Sequence, residues 1–313
     1  MFGQPTPVVV GHEGAGVVTE VGPGVDDVVE GDHVLVLWVP SCGRCAPCLR
    51  GDEHLCANRT TSADARAGRA HTATHRLSVD GQPVHQGMNT ATFAERTVLP
   101  RRAALPIPAD VPFPVAAMLG CAVPTGVGAA LRSAQVSPGD SVAVIGAGAV
   151  GLNAVLGSVV GGAARLIAVD PTEQRRKTAL SLGATEAMSP DEFAEQARDL
   201  DVVIDAVGQP PTVLSAWRAA RRGGTVTVVG AGRPGDTVPI SAYELFHDDK
   251  KLTGSFHGGI SMRRDIGLLV GLWRAGRLPI ERLIDGTADL GDINEVVAAQ
   301  RAGTVVRTIL AMT

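Results

Sequence analysis

Four cysteines close together in the sequence have the spacing of a metal site. They are Cys42, Cys45, Cys48 and Cys56, in the pattern C-x2-C-x2-C-x7-C. Four thiolates so close in sequence can surround one Zn²⁺ ion tetrahedrally, with bonds of about 2.3 Å, and the closed shell leaves no position for a substrate. We therefore expect a structural zinc site. Two disulfides and a four-cysteine iron–sulfur cluster are the alternatives that the spacing leaves open.

A second set of metal-ligating residues is scattered and carries a weaker signal. His12 and Glu13 lie in a run flanked by glycines, and Cys121 follows an apolar segment. Imidazole, carboxylate and thiolate groups all bind zinc. A lone histidine among glycines is usually structural, however, and a lone cysteine after apolar residues is usually a small buried hydrophobe. From the residues alone, both the ligand role and the structural role stay open.

A glycine-rich turn lies at the centre of residues 141–170. An apolar, β-branched run (Val142–Ile145) precedes the turn, a helical stretch follows it, and a second apolar run ends in Asp170. The turn has the pattern G-x-G-x-x-G, formed by Gly146, Gly148 and Gly151. Glycine at these places permits the tight turn, the close approach of a pyrophosphate and the contact of helix with sheet. The stretch therefore predicts a dinucleotide site.

Asp170 and its neighbours bear on which dinucleotide binds. A carboxylate at the end of the second strand can accept hydrogen bonds from a ribose diol, and it would repel a 2′-phosphate. Asp170 therefore favours NAD over NADP, while Arg175 and Arg176 nearby keep NADP as an alternative.

The overall composition argues against several classes of protein. The net charge is −4 without a long basic run, which disfavours nucleic acid or an anionic membrane surface as the main partner. The residues after Met1 do not resemble a signal peptide, so we expect a cytoplasmic protein whose thiols stay reduced. Residues 141–164 carry no charge and are long enough to span a bilayer, but a buried strand–turn–helix unit explains their glycines better.

The elements that must position these residues are of two kinds. With 313 residues, 45% of them hydrophobic, the chain can bury a large core, and we expect two domains. Residues 1 to about 110 are rich in Val, Gly and Pro and predict short strands of a partly barrel-like domain. Strands alternate with helices from Val136 to about Phe256, which predicts a parallel sheet with helices on both faces. The expected strands there are Val142–Ile145, Leu166–Val169, Val202–Ile204 and Val226–Val229.

Two stretches outside these regions have separate predictions. Ala57–Gln86 has few large apolar residues, and its His71, His75 and His85 form no metal motif, so we expect an exposed loop. The C-terminal part is expected to form two helices and a closing strand, namely Arg264–Ala275, Ile293–Arg301 and Val305–Leu310.

Taken together, the motifs resemble those of the zinc-dependent medium-chain alcohol dehydrogenase family over nearly the whole chain. Besides the four cysteines, the matching segments are GHEGAGVV at 11–18, GCAVPTGVGA at 120–129, VIGAGAVGL at 144–152, DVVIDAVG at 201–208 and VRTIL at 306–310. Within the family, the segments GHEGAGVV, PSCGRC and RAGRLPIERLI look most like those of actinobacterial alcohol dehydrogenases that depend on nitrosodimethylaniline (NDMA).

The resemblance implies an α/β protein with two domains. A GroES-like, β-rich catalytic domain would cover 1–122 and continue over 258–313, and a Rossmann domain with a doubly wound parallel sheet would bind NAD over 123–257. It also implies a homodimer or homotetramer that transfers a hydride between an alcohol/aldehyde pair and NAD. Two alternatives remain: a degenerate relative that binds nucleotide and structural zinc without dehydrogenase activity, and a thiol-dependent formaldehyde dehydrogenase.

The resemblance also assigns roles to single residues. His12 and Cys121 match two ligands of a catalytic zinc ion, and Glu13 matches a carboxylate beside that metal. Thr125 matches a threonine near the nicotinamide. The residues that match the cofactor site are Gly146, Gly148, Val150 and Gly151 at the pyrophosphate, Asp170 and Arg175 at the adenosine ribose, and Arg307 at the phosphates.

The sequence departs from the family pattern ahead of Gly11. The family has a first catalytic cysteine there, followed by a hydroxyl residue of the proton relay, whereas the ten residues before Gly11 contain no Cys, Ser or His. We therefore expect the first part of the catalytic domain to be absent, through a start codon assigned too far downstream or through a natural truncation.

Overall fold

A computed structural model describes residues 6–58 and 76–312 and divides the chain into two compact units. The first unit comprises Met1–Cys121, Ser261–Val270 and Ile280–Thr313. The second comprises Ala122–Ile260 and Gly271–Pro279. His71 and His75 lie outside the described residues.

The strands and helices have the following bounds. In chain order the strands are β1 (Val8–Val9), β2 (Ala15–Val17), β3 (His33–Val36), β4 (Leu77–Val79), β5 (Gln82–Gln86), β6 (Ala104–Pro106), β7 (Ser141–Ile145), β8 (Arg165–Val169), β9 (Glu186–Met188), β10 (Leu200–Asp205), β11 (Ala220–Val228), β12 (Lys251–Gly254), β13 (Gly286–Asp289) and β14 (Thr308–Ala311). The α-helices are Ala46–Leu49, Phe113–Met118, Ala122–Gly128, Ala149–Gly161, Glu173–Ser181, Pro190–Gln196, Pro210–Ala219, Ala242–His247, Met262–Arg274 and Ile293–Ala302.

The second unit contains a six-stranded parallel sheet in the order β12-β11-β10-β7-β8-β9. The chain starts this sheet in the middle at β7, extends it to one side through β9, and then returns to the other side. This order is that of a doubly wound nucleotide-binding sheet, so the predicted α/β class is confirmed. Parallel strands covered on both faces are apolar along their length, and β7 and β8 are buried in all but their first residues.

The first unit is built from short strands. β2, β3 and β6 form an antiparallel sheet, and β13 pairs with β14 in parallel. β1, β5 and β4 form a mixed sheet, in which β5 pairs with β1 in parallel and with β4 in antiparallel orientation. The prediction of short strands over the N-terminal part is therefore confirmed. The closing strand begins later than expected, at Thr308, because the two residues before it are tied to Asp285 by their main-chain N–H groups.

One sequence prediction is wrong in its last part. The stretch Ala57–Gln86 does not end as a loop, because β4 and β5 pair there as an antiparallel hairpin. Asp80 and Gly81 connect the two strands with φ values of 50° and 75°. Two residues of positive φ match the right-handed twist of a tight hairpin, and Asp-Gly is a common sequence for such a turn.

The uncharged stretch 141–164 contains β7, the glycine turn and the whole of the helix Ala149–Gly161. Among the described residues, no helix is long and apolar enough to cross a membrane.

Candidate metal and nucleotide sites

The structure brings the four clustered cysteines together in the first unit. Each offers a sulfur atom, and the four sulfur atoms lie within 4.8 Å of one another. The Sγ of Cys45 is 3.4 Å from that of Cys48 and 3.8 Å from that of Cys56, and the Sγ atoms of Cys42 and Cys48 are 4.0 Å apart. Four soft donors at these separations suit a tetrahedral Zn²⁺ ion, as the spacing predicts.

Hydrogen bonds to sulfur prepare two of these thiols to act as thiolates. The main-chain N–H of Arg44 and the side-chain amide of Asn58 are the main causes that lower the pKa of Cys42 to about 5. Main-chain N–H groups, first that of Cys48, lower the pKa of Cys45. Burial raises the pKa of the Cys48 thiol to about 12. The group therefore combines two thiols that ionise readily with buried ones whose ionisation a bound cation would favour.

The structure also brings together His12, Glu13 and Cys121, although they are far apart in sequence. One ligand atom from each lies within 4.8 Å of the others. Burial is the main cause that lowers the pKa of His12, which favours the neutral imidazole that binds metals. One imidazole, one carboxylate and one thiolate form a set of three protein ligands with room for a fourth, the pattern of a catalytic zinc site.

Glycine allows the chain to place His12 and Glu13. Gly11 has a φ of +97°, and a Cβ atom there would lie 2.6 Å from atoms of Thr92 and Phe93. The main-chain N–H of Thr92 donates to the Gly11 carbonyl at 3.1 Å, and its hydroxyl donates to the Glu13 carbonyl at 3.3 Å. The segment that carries the two candidate ligands is thus fixed against residues 92 and 93.

Arg307 lies against the second metal-ligand group. Its guanidinium donates to Glu13 Oε2, and the two side chains are only 19% and 16% exposed. The resemblance assigns Arg307 to the cofactor phosphates, and that role stays a prediction. Its ion pair with Glu13 joins residues that are 294 positions apart, and no local pattern in the sequence signals it.

The glycine turn of the second unit has the tight geometry that the motif predicts. Gly146 has a φ of +92°. A Cβ atom on Gly151 would lie 1.6 Å from the carbonyl oxygen of Gly146, so no larger residue fits. Space within 4 Å of the Cβ position of Gly148 is open, and this residue stands just before the helix Ala149–Gly161. The N-terminus of a helix beside an open backbone favours a phosphate group.

Asp170 fixes this turn as well as standing at the end of β8. It is 3% exposed, and its carboxylate accepts hydrogen bonds from the main-chain N–H groups of Ala147 at 2.9 Å and Thr172 at 2.8 Å. The guanidinium of Arg175 lies 3.8 Å from Asp170 Oδ2. Asp170, Arg175 and the glycines therefore occupy one locality, and the bond to Ala147 is a feature that the motif does not predict.

The remaining predicted residues lie on two packed helices of the second unit. Thr125 is buried in the helix Ala122–Gly128, and its hydroxyl has no hydrogen-bond partner among the described residues. The half-buried Val150 lies in the first turn of the helix Ala149–Gly161. A Cβ atom on Gly126 would lie 2.3 Å from the Val150 carbonyl oxygen, so glycine permits this close packing.

Comparison with known proteins gives consistent matches over the chain. Residues 1–109 match the alcohol dehydrogenase GroES-like domain, and residues 149–270 match the zinc-binding dehydrogenase family. Alcohol dehydrogenase B of Mycobacterium tuberculosis is 35% identical over 98% of this chain and 84% of its own length. An S-(hydroxymethyl)glutathione dehydrogenase of Escherichia coli is 34% identical over 97% of this chain and 84% of its own length.

A solved structure extends the comparison to the fold. The structure of an alcohol dehydrogenase zinc-binding domain protein from Burkholderia ambifaria has a TM-score of 0.90 and 32% identity. The match covers 100% of this chain and 86% of that one.

Proposed function

Because this chain belongs to the zinc-dependent alcohol dehydrogenase family, we propose that it transfers a hydride between an alcohol/aldehyde pair and NAD. The observation that carries the proposal is the meeting of His12, Glu13 and Cys121, with one ligand atom from each within 4.8 Å of the others. Three ligands of these types are sufficient for a catalytic zinc ion with an open position. We assign this chemistry to the first unit and cofactor binding to the second.

Each residue of the two sites would have its own role. When bound, zinc supplies Lewis-acid polarisation of the alcohol oxygen. His12 would hold it as a neutral imidazole, Cys121 as a thiolate and Glu13 through a carboxylate oxygen. The turn from Gly146 to Gly151 would receive the cofactor pyrophosphate, and Asp170 would face the ribose. Hydride transfer itself belongs to the cofactor, so the protein binds and aligns the two reactants.

The four-cysteine site has a different role in this proposal. Its four sulfur atoms lie within 4.8 Å of one another and would supply all four ligands of a tetrahedral zinc ion, which would then have no open position and would stabilise the first unit. Loss of this zinc ion in a cysteine variant should therefore lower the stability of the first unit, and any loss of activity should follow from that lower stability.

The test is NADH formation by the purified protein with NAD and a panel of primary and secondary alcohols. We expect activity that disappears in a Cys121→Ser variant and persists in Arg165→Gln, which removes a half-exposed ion pair with Glu186 outside the proposed sites. An absence of turnover in both directions, with every alcohol and aldehyde offered, would overturn the proposal in favour of a nucleotide-binding relative without dehydrogenase activity.

A second candidate function is supported by one relative. The Escherichia coli relative is an S-(hydroxymethyl)glutathione dehydrogenase, so a thiol-dependent formaldehyde dehydrogenase is the alternative within the same chemistry. Formaldehyde oxidation that requires added glutathione, without oxidation of simple alcohols, would favour it. The finer placement among NDMA-dependent enzymes also stays a prediction, tested by NDMA reduction in the presence of an alcohol.

We further propose a homodimer or homotetramer that forms through β12. This strand lies at the edge of the six-stranded sheet, and an unpaired sheet edge favours pairing with another chain. Large apolar side chains are exposed on it and on the helix before it, with Tyr243 at 68%, Phe246 at 83% and Leu252 at 43%. Light scattering on the protein and on a Leu252→Lys variant tests this assembly. A cytoplasmic location is proposed with it, because the clustered thiols must stay reduced to hold zinc.

A further inference from the structure

Glu13 has a partner that competes with a metal ion for the same carboxylate. One Glu13 oxygen belongs to the group with His12 and Cys121, whose ligand atoms lie within 4.8 Å of one another. Its Oε2 accepts a hydrogen bond from the guanidinium of Arg307. Charge-assisted hydrogen bonds between a guanidinium and a carboxylate are among the strong ones in proteins. A carboxylate engaged in one is a weaker ligand for a cation.

Hydrogen bonds with Asp285 fix the main chain at Arg307. The N–H groups of Val306 and Arg307 both donate to Asp285 Oδ2, the second at 2.7 Å, and the Asp285 N–H donates to the Arg307 carbonyl at 2.8 Å. Strands β13 and β14 pair in parallel directly after these residues. The guanidinium is thus presented to Glu13 from a fixed backbone, and its Nε donor has no hydrogen-bond partner among the described residues.

We infer that Arg307 is a positioning residue that competes with zinc for Glu13 and so weakens the hold of the His12–Glu13–Cys121 group on its metal. The inference rests on the proposed function, because it places zinc at this group. Two effects act in the same direction. The ion pair occupies the carboxylate, and the positive guanidinium repels a dication beside it in surroundings that are mostly buried.

The competition predicts that removing the Arg307 guanidinium raises the zinc affinity of the His12–Glu13–Cys121 group. Replacing Arg307 by Gln should tighten zinc binding at this group by about tenfold. This gain has the opposite sign to the loss of affinity that follows removal of most outer partners of metal ligands, and about the size of the smallest of those losses. Arg307→Lys keeps the positive charge and should stay near the affinity of the unchanged protein. Arg165→Gln is the matched control, since it breaks another Arg–Glu ion pair, with Glu186 in the second unit, and should leave the affinity unchanged.

The experiment is a zinc titration against a chromophoric chelator, after the more weakly held metal has been removed by dialysis. Glu13→Gln and the double variant Glu13→Gln/Arg307→Gln complete a cycle. If competition for the carboxylate operates, the gain from Arg307→Gln must be smaller in the Glu13→Gln background, where only through-space repulsion remains. An equal gain in both backgrounds, an unchanged affinity or a weaker one in Arg307→Gln overturns the inference.

The same titration separates this inference from the proposed function. If the unchanged protein binds one zinc ion, which is lost in Cys45→Ser, the proposed catalytic metal fails. If Arg307→Gln then gains a second zinc ion, the competition is supported, whereas a single ion in both proteins overturns it. An unchanged circular dichroism spectrum and an unchanged thermal unfolding midpoint show that each variant has folded.

Discussion

The two metal-ligand groups of the first unit differ in how the chain assembles them. The four cysteines come from one segment of fifteen residues, 42 to 56, and main-chain N–H groups in and next to that segment, those of Cys42 and Ala57, donate to two of the sulfur atoms. His12 and Glu13 are more than a hundred positions from Cys121, and the arginine that contacts Glu13 follows it by 294. The first group is therefore encoded locally, whereas the second exists only when distant segments have folded together.

The two groups therefore depend on different parts of the folded chain. A local group should bind metal as soon as its segment is formed, and its metal should stabilise the surrounding chain. A group assembled from distant segments depends on the fold that carries it, and its metal can leave without removing that fold.

Removing a ligand from the cysteine group should damage the fold of the first unit. We expect Cys45→Ser to lose one zinc ion per chain and to lower the thermal unfolding midpoint by roughly 10 °C, because the metal stabilises its segment. Elemental analysis and a thermal melt measure both effects. Cys121→Ser is the matched control, also losing one zinc ion but with a midpoint within about 3 °C of the original. Equal midpoints in the two variants would contradict the contrast.

Removing a ligand from the distant group should affect activity instead. His12→Gln is expected to lower kcat/KM for an alcohol by about 100-fold or more, since the loss of zinc polarisation costs several kcal/mol in the transition state. Steady-state kinetics with NAD measure this. The cysteine-bound zinc should remain, and a variant that loses both zinc ions would show that the two groups are not independent.

Asp170 extends the comparison to the nucleotide site. Replacing it by Ala should reduce the preference for NAD over NADP by about tenfold, because the carboxylate no longer meets the ribose or repels a 2′-phosphate. The Asp170 carboxylate also accepts a hydrogen bond from the Ala147 N–H, so the Ala variant should bind both NAD and NADP somewhat more weakly. Asp170→Asn keeps an acceptor for that N–H, and the comparison of dissociation constants separates the two roles. An unchanged ratio of affinities would show that the ribose lies elsewhere.

The smallest predicted effect concerns the geometry of the cysteine group without metal. The pKa of Cys42 is lowered to about 5, first by the Arg44 N–H and then by the Asn58 amide. In protein treated with a chelator, Cys42 should therefore react with iodoacetamide at neutral pH, and its rate should fall only as the pH drops through about 5. Asn58→Ala should move that midpoint upward by about one unit.

Mass spectrometry of the labelled peptides measures this profile. Cys48 supplies the internal comparison, because burial raises its pKa to about 12 and should keep it unlabelled at neutral pH. Equal labelling of Cys42 and Cys48 would contradict the arrangement of donors around the sulfur atoms.

The features that the sequence predicts correctly are local ones. The cysteine spacing, the glycine turn and the strands β7, β8, β10 and β11 are all properties of short segments, and the structure places each where its pattern predicts. The family and the α/β fold are confirmed by the relatives. The hairpin also has a local signal, the Asp80-Gly81 dipeptide that is typical of a tight turn. The low hydrophobicity of the surrounding stretch favoured a loop instead.

The features that sequence analysis missed involve pairs of distant residues. Nothing near Arg307 indicates that it meets Glu13, because each residue alone is an ordinary charged group. Asp285 likewise gives no sign that it fixes the backbone at Arg307. Such contacts depend on the register of strands that meet only in the folded protein.

The way in which the two units divide the chain also determines the order in which their segments are synthesised. The second unit consists mainly of one continuous stretch, Ala122–Ile260, which leaves the ribosome as a block and can fold as domains generally do during synthesis. The first unit begins before that stretch but also includes Ile280–Thr313, which is translated after it. The N-terminal strands and His12 are therefore synthesised well before Arg307 and β14, so the group of His12, Glu13 and Arg307 can form only after the second unit's continuous stretch has been translated.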